Sequence, residues 1–144
     1  MAGIEIKEIK SAPSSKVAFI EEMVPAGFPS PAQGITGDVL DLNRELIHNP
    51  SATFCAAVTG DSMTGYGIDD GDLLIIDKSL PTTDGSIAVC YIDGDFTVKR
   101  IAITKDGIYL EPGNPAYPRI RVGNEGNFQI WGIVSHIIKR VTPH

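Results

Sequence analysis

Short runs of β-branched and aromatic residues recur along the chain. They are broken at close intervals by glycine, proline, asparagine and aspartate. That spacing predicts many short strands joined by tight turns. Residues 53–58 read as a strand entering a Gly-rich turn. Residues 72–77 carry apolar side chains on both faces, as a central strand does. Residues 86–92 and 95–104 form a pair around Asp93-Gly94, a dipeptide suited to the left-handed geometry of a hairpin turn. Asp106-Gly107 turns the chain into residues 108–110. Asn114-Pro115 and Tyr117-Pro118 mark a loop, and 120–122 and 128–138 supply the last strands. Ile4, Ile6 and Ile9 hint at a short strand near the start, and Val17 to Ile20 at a second. The best helical stretch is 38–48, with Asp38 or Asp41 as cap, Val39, Leu42 and Leu46 on one face, and Asn49-Pro50 as its end. The expected fold is mostly β: an extended arm over 1–26, a flexible linker with a short helix over 27–44, and a compact β-rich domain over 45–144.

Composition refines this picture. Of 144 residues, 42% are hydrophobic, enough for a real core, and 15 glycines with 10 prolines agree with a turn-rich β fold. The net charge of -6 provides no domain-wide positive field to displace counterions, which argues against nucleic acid as a direct, phosphate-driven partner, and no direct sequence-specific DNA binding is expected. Cys55 and Cys90 lie in apolar stretches and read as two buried, reduced thiols, consistent with a cytoplasmic protein. No run approaches the ~18 apolar residues of a membrane span. No Cys/His cluster has metal-ligand spacing, no phosphate loop is present, and no cofactor is expected. His48, His136 and His144 build no triad with the acidic residues.

Three features carry candidate chemistry. Gly60-Asp61-Ser62-Met63 sets a serine in a turn dense in glycine, with Gly65, Gly67 and Gly71 following. Such a turn is expected to expose the hydroxyl and to aim a backbone amide at a ligand, as a nucleophile beside an oxyanion hole requires. Most serines in such turns simply bond the local backbone. Lys99 is the second feature. Strand alternation puts it on one face with Ile101 and Ile103, while Phe96, Val98 and Arg100 point the other way. Desolvation disfavours the ammonium, and a lysine brought from ~10.4 toward ~7–8 can take a proton from a hydroxyl near neutral pH. The plain alternative is a stem lying on apolar atoms with its head in water. The third is Val24-Pro25-Ala26-Gly27, where prolines favour extended backbone and Ala26-Gly27 offers minimal side chains beside one peptide bond. By itself it is an ordinary Pro/Gly linker.

Taken together, several segments resemble the UmuD family, the self-cleaving bacterial SOS mutagenesis proteins related to the catalytic domain of LexA-type repressors. They are Gly27-Phe28-Pro29-Ser30-Pro31-Ala32, Asp41-Leu42-Asn43, Pro50-Ser51-Ala52-Thr53-Phe54, Gly60-Asp61-Ser62-Met63, Gly71-Asp72-Leu73-Leu74-Ile75-Ile76-Asp77 and Phe96-Thr97-Val98-Lys99-Arg100. Their order and spacing from about residue 20 onward make the likeness specific. It implies a LexA/signal-peptidase-like catalytic β domain with a serine–lysine dyad: Ser62 as nucleophile, neutral Lys99 as general base, and the amides of Asp61 and Ser62 as oxyanion hole. It implies cleavage between Ala26 and Gly27, with Val24 and Ala26 in small apolar subsites. It further implies stimulation by the RecA–single-stranded DNA filament, a trimmed homodimer, and assembly with a UmuC-type error-prone polymerase subunit. The roughly 19 residues from Gly27 to Glu45 span ~60 Å when extended, so the bond can reach Ser62 of its own chain or of a second copy.

Other readings make different demands. A LexA-type repressor needs a helix-turn-helix, and residues 1–26 show no helix pair. A signal peptidase needs a membrane anchor. A protein-interaction module with a vestigial dyad makes no demand that the sequence fails to meet.

Overall fold

A computed structural model describes residues 3–8, 16–20, 35–123 and 128–143. The chain divides into two compact units, residues 10–48 and residues 1–9 with 49–144. In the smaller unit, β2 (Lys16–Ile20) pairs antiparallel with β3 (Ile35–Asp41), setting Val17 opposite Leu40 and Ala18 opposite Val39. Helix α1 (Leu42–Leu46) follows, and the Asp41 carboxylate accepts the Asn43 amide as its cap. The helix expected over 38–48 is therefore confined to its second half. Residues 38–41 join a ladder instead, since inter-strand hydrogen bonds outweigh a weak helical period in a helix of five residues that buries none of them.

The larger unit is built on an eight-stranded antiparallel sheet. Its order is β1 (Gly3–Glu8), β4 (Thr53–Thr59), β5 (Leu73–Asp77), β10 (Phe128–Ile138), β6 (Ile87–Ile92), β7 (Asp95–Thr104), β8 (Gly107–Glu111) and β9 (Ile120–Arg121). The strands follow from the patterns above. β5 is central, between β4 and β10. The β6–β7 turn has both Asp93 and Gly94 at positive φ, as the hairpin twist requires. The initial segment is not merely an arm: β1 is a full edge strand of this sheet, with Gly3 opposite Thr59 and Glu8 opposite Phe54.

β10 is bulged on both sides. Trp131 is the extra residue against β6, and Ser135 against β5. Bulges bend a strand and increase its twist. A side chain at Gly132 would meet the Ile76 methyl at 2.6 Å, so the bend needs that glycine. The sheet curls enough for β1 to approach β7.

Both faces are covered. One buries Ala56, Val58, Met63, Ile68, Leu74, Ile76, Val89 and Val98. The other buries Ala88, Cys90, Ile101, Leu110 and Ile133. Adjacent residues of β6 and β7 divide between the two cores, as strand alternation demands. Cys55 and Cys90 are free thiols; Cys90 is buried, but Cys55 is only half-buried, because β4 has just β1 beyond it.

Candidate active site

β4 delivers the chain to Gly60, whose positive φ starts the turn. The Gly60 amide donates to the Asp70 carboxylate at 2.9 Å. Asp61 is held twice from a distant loop. Its carboxylate accepts the Tyr117 hydroxyl at 2.8 Å, and its carbonyl accepts the Asn114 side-chain amide at 3.2 Å. The Asp61 carbonyl also accepts the Thr64 hydroxyl. In a trans peptide the N–H lies opposite the C=O. With the Asp61 carbonyl turned toward Thr64 and Asn114, the Ser62 amide points away from both. Among the described residues, neither the Asp61 amide nor the Ser62 amide has a hydrogen-bond acceptor.

Two glycines clamp the turn. The Gly113 amide donates to the Ser62 carbonyl at 2.6 Å, and the Gly65 amide donates to the Gly113 carbonyl at 2.7 Å. A side chain on Gly65 would sit 2.2 Å from the Gly113 oxygen, and one on Gly113 would sit 3.0 Å from the Met63 backbone. Only glycine at both positions permits this approach. The sequence marked 114–118 simply as loop; the roles of Gly113, Asn114 and Tyr117 are long-range, and only the Gly/Asn/Pro density there hints at special backbone geometry.

Ser62 is fully buried, 0% exposed, and among the described residues its hydroxyl has no hydrogen-bond partner, Lys99 included. The exposure expected of it is thus not found: the turn folds beneath the Gly113 loop rather than projecting. The Thr97 hydroxyl is likewise buried without a partner among the described residues, so this feature is not particular to Ser62.

Lys99 lies in the middle of β7, opposite Ala88 of β6, and is 2% exposed. It shares the face of Ile101 and Ala88, as alternation predicts, whereas Val98 belongs to the other core. No carboxylate pairs with it among the described residues. Burial holds its ammonium below the usual 10.5, with the Cys90 thiolate opposing that shift. The opposition is absent at neutral pH, because burial pushes the Cys90 thiol up to about 12 and leaves it uncharged.

The register relates the two residues. Arg100 pairs with Glu111, and their side chains form an ion pair at 3.0 Å. Gly113, which holds the Ser62 carbonyl, lies just beyond Glu111, and Lys99 just before Arg100. The loop that holds the Ser62 carbonyl therefore leaves β8 just past the partner of Arg100. The Arg100 guanidinium also lies 5.8 Å from the Tyr66 ring centre, in the 3-10 turn after Met63.

Val24, Ala26 and Gly27 fall outside the described residues. His48 meets the Glu45 carbonyl and His136 the Ser135 hydroxyl, and neither bonds Ser62. Among the described residues no group of three His, Cys, Asp or Glu side chains can hold a metal ion. No helix among them is long and apolar enough to cross a membrane.

Ser62 thus lies buried in a glycine-clamped turn, and Lys99 lies buried in β7 without an ion partner among the described residues. The chain belongs to the Peptidase S24-like family, which it matches over residues 18–135. It is 42% identical to Protein SamA of Salmonella typhimurium over 88% of its own length and 87% of that protein. It is 39% identical to Protein MucA of Escherichia coli, covering 83% of this chain and 82% of the relative. A LexA repressor from Xylella fastidiosa is 32% identical across 95% of this chain and 69% of the repressor. These relatives accord with the UmuD-type resemblance drawn from the sequence segments.

Proposed function

We propose that this protein is an SOS-response autoprotease that cleaves itself between Ala26 and Gly27 and then serves a translesion polymerase. The observation that supports it best is Lys99: a residue 2% exposed, without a carboxylate partner among the described residues and with its charge disfavoured by burial. Such an amine is neutral far more often than a solvated lysine and can accept a proton from Ser62. The Ser62 oxygen attacks the Ala26 carbonyl carbon while its proton passes to Lys99. The resulting oxyanion is stabilised by the amides of Asp61 and Ser62, which have no acceptor among the described residues. The C–N bond then breaks, and Lys99 returns the proton to the Gly27 amine. Water, deprotonated by Lys99, hydrolyses the Ser62 ester and restores the hydroxyl. Val24 and Ala26 occupy small apolar subsites.

In this reading residues 1–26 are the arm removed, 27–44 a linker with a short helix, and 45–144 the peptidase-like domain. The RecA–single-stranded DNA filament raises the fraction of chains whose arm lies in the cleft, and the observed rate scales with that fraction. The trimmed chain forms a homodimer and joins a UmuC-type DNA polymerase subunit in the cytoplasm. The relatives named SamA and MucA support this assignment through their likeness over most of the chain. Incubation of the purified protein with RecA, ATP and single-stranded DNA, followed by intact-mass measurement, tests it. The expected product begins at Gly27. A chain left whole by the filament favours a dimeric interaction module with a vestigial dyad.

A further inference from the structure

β1 stands on the far side of the proposed cut from the body of the unit that it completes. It pairs with β4 along its full length: Ile4 opposite Val58, Ile6 opposite Ala56, Glu8 opposite Phe54. Directly opposed residues of an antiparallel pair share a face, and Ile4 and Ile6 accordingly pack on the core containing Ala56, Val58, Leu74 and Val98. β1 also approaches β7 where the sheet curls. None of these contacts depends on the covalent connection through residues 9–48.

We propose that the β4 edge is a strand-accepting site whose ligand is the segment Gly3–Glu8, and that this segment stays bound after the chain is severed. Breaking the backbone at residue 26 leaves the β1–β4 ladder and the seats of Ile4 and Ile6 intact. Cleavage therefore yields first a nicked complex. The β4 edge, with its row of backbone donors and acceptors, opens only when the fragment dissociates, a step governed by dilution and by competing strands. The recognition chemistry is an extended peptide with apolar residues at alternate positions, which adds a strand to an open edge. Exposed β-edges are pairing templates, so covering this one until the fragment leaves also delays edge-to-edge association.

The inference rests on the proposed cut between Ala26 and Gly27, but its test does not use Ser62. A full-length chain carrying Ser62→Ala, with the recognition site of an exogenous endopeptidase inserted between Lys10 and Ser11 so that the fragment carries β1 but not β2, which pairs with β3 beyond the proposed cut, is cut at micromolar concentration. The products are then separated by size exclusion and weighed. The N-terminal fragment is expected to co-elute with the body. Ile4→Asp together with Ile6→Asp is expected to lower the retained fraction at least ~10-fold. A synthetic peptide of residues 1–12 in excess should displace a labelled fragment from the nicked wild-type sequence at β1, whereas the same peptide with both isoleucines replaced by Asp should not. Immediate release of the fragment on cutting overturns the proposal. So does displacement by both peptides alike, which would mean that Ile4 and Ile6 do not hold it.

Discussion

At the scale of single residues, a buried amine and a pair of glycines matter most. Lys99 is held below its solution value by burial. Between that lowered value and the unfolded one, the unfolded chain binds more protons than the folded chain, so stability rises with pH across the window. Below the window the folded state carries a buried charge that it would be more stable without. Lys99→Met, which keeps the apolar stem and removes the charge, is expected to be more stable than the parent at pH 7. The gap should close as pH rises toward 10.5, where the unfolded lysine also loses its proton. Urea midpoints at pH 7 and pH 10 measure both. A gap that widens with pH would mean that Lys99 is stabilised as a cation. Gly65→Ala tests the clamp, because its new methyl would collide with the Gly113 carbonyl at 2.2 Å. The variant is expected to lose about 1–3 kcal/mol of stability. Displacing the Ser62 turn by an ångström is expected to lower the proposed self-cleavage ~100-fold. Near-normal cleavage in this variant would show that the turn tolerates the movement.

At the scale of elements, β5 offers a clean contrast. Leu74 is completely buried between β4 and β10, while its neighbour Leu73 is 40% exposed. Leu74→Ala should cost about 2–5 kcal/mol and Leu73→Ala well under half of that. Equal losses in denaturant melts would mean that the register of β5 is wrong. The same strand marks how far the sequence could be read. Leu73-Leu74-Ile75-Ile76 identifies a central strand without knowledge of its neighbours, and Asp93-Gly94 identifies a hairpin, because both signals are local. The face of Lys99 was legible for the same reason: period-two alternation needs no partner strand. Residues 38–41 misled because Val39, Leu42 and Leu46 satisfy a helical period, while the pairing with β2 that makes them a strand lies some twenty residues upstream. The hold of Gly113, Asn114 and Tyr117 on Asp61 and Ser62 spans about fifty residues and leaves no periodic trace. Nor does local pattern say that β1 closes the edge of a sheet whose next strand starts at Thr53.

At the scale of the whole molecule, one sheet carries or leads into both residues of the proposed pair. β4 ends at the serine turn and β7 carries the lysine. The β8 side of the sheet supplies the loop that ties the turn down. The site is assembled from strands far apart in order, so its geometry is present only when the sheet is. Self-cleavage should therefore vanish cooperatively with unfolding in urea, in step with the loss of β structure followed by circular dichroism. Cleavage that persisted in the unfolded chain would point to a contaminating protease.

The most direct measurement is the rate of spontaneous cleavage of the purified full-length chain between pH 7 and pH 10, followed by intact mass. A fragment beginning at Gly27 should accumulate faster as pH rises through the lowered titration of Lys99, then level off once the amine is neutral. Ser62→Ala and Lys99→Ala should each abolish it. Cleavage at an undiminished rate in either variant, or a rate that falls as pH rises, would contradict the pairing of this serine with this lysine.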